Sequence, residues 1–333
     1  MKSFFPAEWN NQDAIVIAWP TEHTDWHSNL LDTQRTVTKI IDQISDHQKI
    51  ILLHHQATSY PFRKLNNNIH IFHLNYDDTW TRDFIGISTY DNGHPIFNNF
   101  EFNAWGNKFK NKNDNKVNIQ LDSLLSKNTE MINHSNIILE GGSIESNGNG
   151  IVLTTEKCLL NKNRNNNLNK KEIESYLKST LLIDEIIWLS HGVIKGDDTD
   201  AHIDTLARFC NQDTIAYSID SSSELIAMEE ELQTLTQSNS KKFNLIPLPI
   251  PNYTLKGKRL PATYTNFLIT NNKVLVPVYN KPEDEFAIKQ FKSCFNTREV
   301  VPINCEALIR QGGSLHCLTM QLPEGFLNLA LLS

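Results

Sequence analysis

Five short stretches spread through the chain each set a polar residue beside a segment patterned as a β-strand. They are Trp80-Thr81-Arg82-Asp83, Glu140-Gly141-Gly142, Ala201-His202-Ile203-Asp204, Tyr264-Thr265-Asn266 and Leu315-His316-Cys317. Counted from Asp83 through Glu140, His202 and Asn266 to Cys317, the marks lie 51 to 64 positions apart. Between most of them the pattern runs strand, strand, helix, strand. A period of this length is the signature of a repeated supersecondary unit that buries its apolar face only against its neighbours. Blades set around an axis, each pointing its marked residue inward, satisfy it. The competing account is coincidence among the strands of a large α/β protein, because the units share almost no sequence.

Apolar runs and β-branched residues predict strands over Asp13–Pro20, Lys49–Leu53, Ile69–Leu74, Phe84–Tyr90, Asn136–Leu139 and Ile151–Thr154. Further strands are expected over Leu181–Leu189, Phe243–Pro247, Lys273–Tyr279 and Arg298–Ile303. Helical spacing covers Ser28–His47, with Leu30, Leu31, Val37, Ile40, Ile41 and Ile44 as its apolar stripe and Ser28 placed to cap it. It recurs over Lys171–Leu181, Ser222–Leu235 and Glu283–Phe291. The polar segment Asn107–Lys116 predicts an exposed loop, and Leu327–Leu332 a closing strand.

A chain of 333 residues can bury a sizeable core, and we expect residues 1–333 to form one catalytic domain. Lys+Arg number 31 against 38 Asp+Glu, a net charge of −7. That balance argues against nucleic-acid binding and weakly suits a cationic ligand. No apolar run approaches the roughly 18 residues of a membrane span. Met1–Trp9 carries one lysine and no continuous apolar segment, so it does not read as a secretory signal. Cysteines 158, 210, 294, 305 and 317 lack CxxC spacing. They fit reduced thiols in a cytoplasm rather than a zinc ribbon or a disulfide framework. A homodimer is the commonest default for such a protein.

The chemistry at the marks is carried by two aspartates, a glutamate, a histidine, an asparagine and a cysteine. Clustered carboxylates are costly unless a cation or a shared proton compensates them. For a metal, His202-x-Asp204 supplies two ligands from one face of a strand. No second strong His/Cys pair accompanies it, so no metal is expected. A substrate amine and a guanidinium remain. The guanidinium is planar, permanently charged and matched to carboxylates in bidentate pairs. Held by two or three carboxylates, its central carbon would face a thiolate, and a histidine would protonate the departing ammonia and activate water. Taken singly, each residue has a plainer role. Cys317 is a small core residue, His202 a hydrogen-bonded structural histidine, Asp83 a turn cap or partner of Arg82, and Asn266 a backbone-bonding amide. His316, on a strand, would point away from Cys317's side and is not the acid/base. A ring of carboxylates should raise the thiol pKa, so a cationic substrate itself would complete the thiolate's stabilisation.

Longer stretches carry a resemblance. They include Pro6-Ala7-Glu8-Trp9, Asp78-Thr79-Trp80-Thr81-Arg82-Asp83, Phe102-Asn103-Ala104-Trp105-Gly106 and Leu139-Glu140-Gly141-Gly142-Ser143. Thr154–Arg164 (TTEKCLLNKNR), Gly196–Phe209 (GDDTDAHIDTLARF), Tyr264-Thr265-Asn266-Phe267 and Gly313–Thr319 (GSLHCLT) continue the series. In this order they are similar to the agmatine deiminase family, related to bacterial peptidylarginine deiminase within the pentein guanidine-modifying group. The resemblance implies a five-bladed, pseudo-fivefold α/β propeller (pentein fold) of ββαβ-type units, without a cofactor. It implies Cys317 as nucleophile, His202 as general acid/base, and Asp83, Asp204 and Glu140 as the carboxylates on the guanidinium side. Trp80, Asp198 and Asn266 would contact substrate. The implied reaction is hydrolysis of agmatine to N-carbamoylputrescine and ammonia through an amidino-cysteine intermediate, in putrescine biosynthesis. A peptidylarginine or free-arginine deiminase, or a non-catalytic guanidine-binding protein, is the alternative. Ser314, Met320 and Phe84-Ile85-Gly86-Ile87 depart from the family pattern.

Overall fold

The computed structural model describes residues 2–55, 66–237 and 240–332. Among the described residues the strands form five sheets of one design, plus a small hairpin. Each sheet pairs two strands antiparallel and adds a third in parallel. The first is Ile87–Asp91 with His94–Glu101 and Glu130–Ile138. The second is Ile144–Ser146 with Ile151–Thr155 and Glu185–Leu189. Ala207–Asn211, Thr214–Ile219 and Asn244–Pro249 make the third. Leu268–Ile269, Lys273–Val278 and Glu299–Asn304 make the fourth.

The fifth sheet joins the two ends of the chain. Thr319–Pro323 lies antiparallel to Gln12–Ala18, which pairs in parallel with Lys49–His54, and Ile69–His73 adds a fourth strand. In four of the sheets the middle strand is buried along nearly its whole length, as in Gln12–Ala18 and Ile151–Thr155, whereas His94–Glu101 mixes buried residues with half-buried and exposed ones.

A parallel third strand needs a crossover, and helices supply it. Leu30–Ser45, Lys170–Leu181, Ser223–Thr234 and Glu283–Cys294 serve four of the sheets. Asn169 and Glu172 close a reciprocal capping box at the start of the second, and Ser222 accepts from Leu225 N–H at the start of the third. The crossover from His94–Glu101 to Glu130–Ile138 is built instead from short turns around residues 104–124.

Several expectations are corrected. Ser28 does not cap the first helix. Asn29 stands at that position, and its amide bonds Thr33 Oγ1 and Ala307 O rather than the helix backbone. Leu31, counted in the apolar stripe, faces solvent. Residues 107–116 are not a bare loop. Asp114 is buried and accepts from Asp77 N–H at 2.7 Å, while Asn111 and Asn115 both donate to Phe102 O. The strand expected from Phe84 begins only at Ile87, because Thr81–Phe84 takes a helical turn. The tail is no strand either. Asp13 accepts from the Gly325 and Leu327 N–H groups, and Leu329–Leu332 closes as a single 3-10 turn. No helix among the described residues is long and apolar enough to cross a membrane.

Ile51, on the strand Lys49–His54, is fully buried. Ile51→Ala removes methylene groups from a closed core, so stability should fall by about 2–5 kcal/mol. The shift of the urea unfolding midpoint measures it.

Candidate active site

The five marks fall in the same place in each sheet, the turn just before its first strand. Asp83 precedes Ile87–Asp91, Glu140 precedes Ile144–Ser146, and Asp204 precedes Ala207–Asn211. Asn266 and Cys317 precede Leu268–Ile269 and Thr319–Pro323. His202 and Asp204 therefore do not share a strand face as expected. His202 stands at the cap of a 3-10 turn, Ile203–Thr205, that carries Asp204. His316 is likewise in a turn rather than on a strand. Its ring nitrogens face the carboxylates of Asp204 and Glu8, not the cysteine.

The side chains of the marks interlock. Cys317 Sγ lies 3.2 Å from Asn266 Nδ2 and 3.7 Å from Asp204 Oδ2. Asp204 Oδ2 also accepts from Asn266 Nδ2 at 3.1 Å. Across the site, His202 Nδ1 is 3.7 Å from Asp83 Oδ1. Asp83 is aimed by two donors, Gly142 N–H at 2.9 Å on Oδ1 and Trp105 Nε1–H at 2.9 Å on Oδ2. Gly142 is where the two halves meet. A Cβ there would stand 2.7 Å from His202 Nδ1, 2.8 Å from Asp83 Oδ1 and 3.1 Å from Asp204 Oδ2.

Part of this cluster opens onto a pocket whose empty space, its open mouth included, is about 480 Å³. Asp83, Asp204 and Cys317 reach it, Trp80, Trp105 and Phe109 wall it, and Asp78 and Asp198 add acidic groups. Trp80 packs on Gly313, where a Cβ would fall 2.3 Å from the indole. Glu140, His202 and Asn266 are buried and do not border the pocket. Glu140 takes both oxygens to Arg164 Nε at 2.9 and 3.0 Å. The same guanidinium donates to Asp200 Oδ2 and Thr199 O, tying down the turn that leads to His202.

Sequence reasoning gave no catalytic or contact role to Trp105, Asp78, Gly142 or Arg164, although all four lie inside the matched stretches that were quoted for other reasons. The signal for Trp105 is conformational. Ala104, Trp105, Gly106 and Asn107 all have positive φ, as do Asp200 and Ala201 next to His202. Runs of left-handed non-glycine residues cost energy and persist where the surroundings over-determine them. Cys158, read as structural, lies beside the site. A ligand atom from each of Glu140, Cys158 and His202 falls within 4.8 Å of the others. These three could meet a metal, but Arg164 already fills the Glu140 oxygens.

Electrostatics follow from burial. Burial raises the Asp83 pKa, and the neighbouring Asp204 and Glu140 add to it, while His202 opposes them. For His202, burial disfavours the charged ring, yet Asp83, Cys158 and Glu140 outweigh it and push its pKa well above the usual histidine range. Burial likewise drives the Cys317 thiol well up, reinforced by Asp204 and Asp83. At the pocket wall, burial and then Asp25 push Asp78 up to about 7. Burial and Asp197 raise Asp198, against the pull of Lys108.

A raised thiol pKa means that little thiolate exists near neutrality in the free protein. The rate of Cys317 alkylation by iodoacetamide, followed by peptide mass spectrometry, should still be climbing at pH above about 8.5, the ordinary cysteine value. A plateau near pH 7 would contradict the geometry.

Comparison with known proteins places the chain among its relatives. The sequence profile of the Porphyromonas-type peptidyl-arginine deiminase family matches residues 4–323. A Marinomonas sp. protein named "Putative agmatine deiminase" is 31% identical, over 96% of this chain and 94% of that one. A solved structure described as "Putative Arginine Deiminase" from Porphyromonas gingivalis is 39% identical, with TM-score 0.93 over 98% of this chain and 100% of that one. A C. jejuni agmatine deiminase, solved as a cysteine-to-serine form with substrate bound, is 37% identical with TM-score 0.91, covering 97% of each chain. The chain thus belongs to the Porphyromonas-type peptidyl-arginine deiminase family, whose model spans nearly its whole length, and its relatives include proteins named as agmatine deiminases.

Proposed function

We propose that the protein is an agmatine deiminase, a hydrolase that converts agmatine and water to N-carbamoylputrescine and ammonia. The observation that carries the reading is the placement of Cys317 Sγ beside the Asp204 carboxylate, with Asp83 and its partner His202 opposite; Cys317, Asp204 and Asp83 all border the pocket. Asp204 Oδ1 is buried and accepts no bond from the protein, so a guanidinium N–H would satisfy it. Asp83 offers a second carboxylate, and bidentate pairing would hold the guanidinium carbon against the sulfur.

In this mechanism the arriving cation stabilises the Cys317 thiolate against the carboxylates that otherwise disfavour it. The sulfur lone pair forms an S–C bond to the guanidinium carbon, giving a tetrahedral adduct. The C–N bond to one terminal nitrogen then breaks as His202, held protonated by Asp83, gives that nitrogen its proton and ammonia leaves. The S-linked amidino intermediate is attacked by water, whose proton returns to His202. The adduct then expels the Cys317 thiolate and gives up its hydroxyl proton to solvent, which leaves the neutral ureido product. Glu140, clamped by Arg164, acts from behind His202 in this scheme, and Asn266 orients the sulfur.

The pocket favours agmatine over arginine. Among the described residues no Lys or Arg borders it, whereas Asp78 and Asp198 do, and Lys108 nearby is held by Asp200 and the Asp198 carbonyl. An ammonium tail suits that wall; a substrate carboxylate does not. We also read the five sheets as blades of a closed five-bladed propeller and the chain as one catalytic unit. The repeated strand order and the convergence of all five marks support this. The five free cysteines support a reducing, cytoplasmic setting.

Mass spectrometry after incubation with agmatine should show N-carbamoylputrescine and an equivalent of ammonia, with arginine turned over at least about tenfold less efficiently, the effect of about 1.4 kcal/mol of discrimination. Cys317→Ala should release no ammonia. Normal turnover by that variant would overturn the assignment.

A further inference from the structure

Beneath the pocket lies a buried ionic cluster that the steps above leave unused. Glu8 Oε2 stands 2.6 Å from His316 Nε2 and accepts from Arg208 Nη2 at 2.8 Å and Arg82 Nη2 at 3.5 Å. Its other oxygen accepts from Ile269 N–H. Arg208 Nε donates to Glu145 Oε2 at 3.1 Å. His316 Nδ1 lies 2.8 Å from Asp204 Oδ2, the oxygen that faces Cys317 Sγ. All six side chains are buried, none more than 6% exposed.

Two arguments fix the protonation of His316. Both of its ring nitrogens face carboxylate oxygens, which in ionised form only accept hydrogen bonds, so making both bonds takes two N–H groups. Charge balance agrees. Glu8, Glu145 and Asp204 oppose Arg82 and Arg208, which leaves one uncompensated negative charge out of water unless the imidazole is charged. Burial alone would raise the Asp204 pKa; the bond from His316 and its charge outweigh that and hold it below the usual carboxylate range.

We propose that His316 is a positioning residue for this site: clamped as an imidazolium between Glu8 and Asp204, it keeps Asp204 ionised and fixes the carboxylate that faces both Cys317 and the guanidinium. The inference rests on the deiminase reading above. His316 does not border the pocket and touches no reacting atom. Around the His316–Asp204 pair, the charged and titratable neighbours are Glu8, Arg82, Arg208 and Glu145 on one side and His202, Asp83 and Cys317 on the other.

Two measurements test the proposal. The first uses the ligand-free wild-type protein with 15N-labelled histidine, the His316 signals being those lost in His316→Gln. Both ring nitrogens should show the imidazolium signature at neutral pH; a neutral ring overturns the proposal. The second is the pH profile of kcat/KM for agmatine. Removing the cation in His316→Gln lets Asp204 take up a proton sooner, so the acid limb should move up by at least about one pH unit. Glu8→Gln replaces the carboxylate that His316 Nε2 faces with an amide, so the 15N signal of that nitrogen should leave its wild-type position, and an unchanged signal overturns the proposal. A uniform loss of activity in His316→Gln with the acid limb fixed means a packing role only and overturns the proposal. If His316→Gln does not fold, Glu8→Gln decides the question by that spectral comparison. A wild-type protein that shows the imidazolium but releases no ammonia from agmatine overturns the substrate reading and the catalytic half of the proposal, while leaving the clamp established.

Discussion

The site exists only because carboxylates can be kept out of water without losing their charge. Burying one ion costs several kcal/mol even after relaxation, and that cost is offset only by a well-placed partner. Each buried carboxylate here has one. Arg164 holds Glu140, Arg208 joins Glu8 to Glu145, His202 faces Asp83, and His316 stands against Asp204. The partners come from different sheets and from the N-terminal segment. The pocket is therefore acidic enough to draw in a cation and rigid enough to aim it. The same burial and carboxylates that suit a cation disfavour the Cys317 thiolate.

Backbone conformation carries part of this arrangement. The left-handed run from Ala104 to Asn107 turns the Trp105 indole onto Asp83, and Asn103 Oδ1 accepts from Gly106 N–H within it. Asp200 and Ala201 make a second such run just before His202, braced by Arg164 on Asp200 and by Asp197, which accepts from Ala201 N–H. Strain at both places is compensated by hydrogen bonds made elsewhere, as expected where geometry serves a site rather than stability. Gly142 completes the set, since any side chain there would displace the histidine and both aspartates.

The period of polar marks survives in the structure in a more specific form than the sequence suggested. Marks read as strand residues are residues of the turns that enter the first strand of each sheet. Alternation along a strand predicts which residues share a face only where there is a strand, and so it misplaced His202 relative to Asp204 and misjudged why His316 is separate from the chemistry. A long-range contact accounts for the missed cap as well. Ser28 is a good cap by type, but Asn29 is drawn to the Ala307 carbonyl from the far end of the chain, a partner no local window contains.

By itself the sequence determined the spacing of the marks, the strand, strand, helix, strand pattern between most of them, and the chemical kinds of residue available. Periodicity and side-chain chemistry are local properties, written along the chain. Only the tertiary structure decided which charges meet. Glu8 reaches His316 and Arg208 across nearly the whole length of the chain, Trp105 turns onto Asp83, and Arg164 closes on Glu140. The protonation of each group follows from how deeply it is buried and which charge stands beside it, and both are set by contacts between segments far apart in sequence.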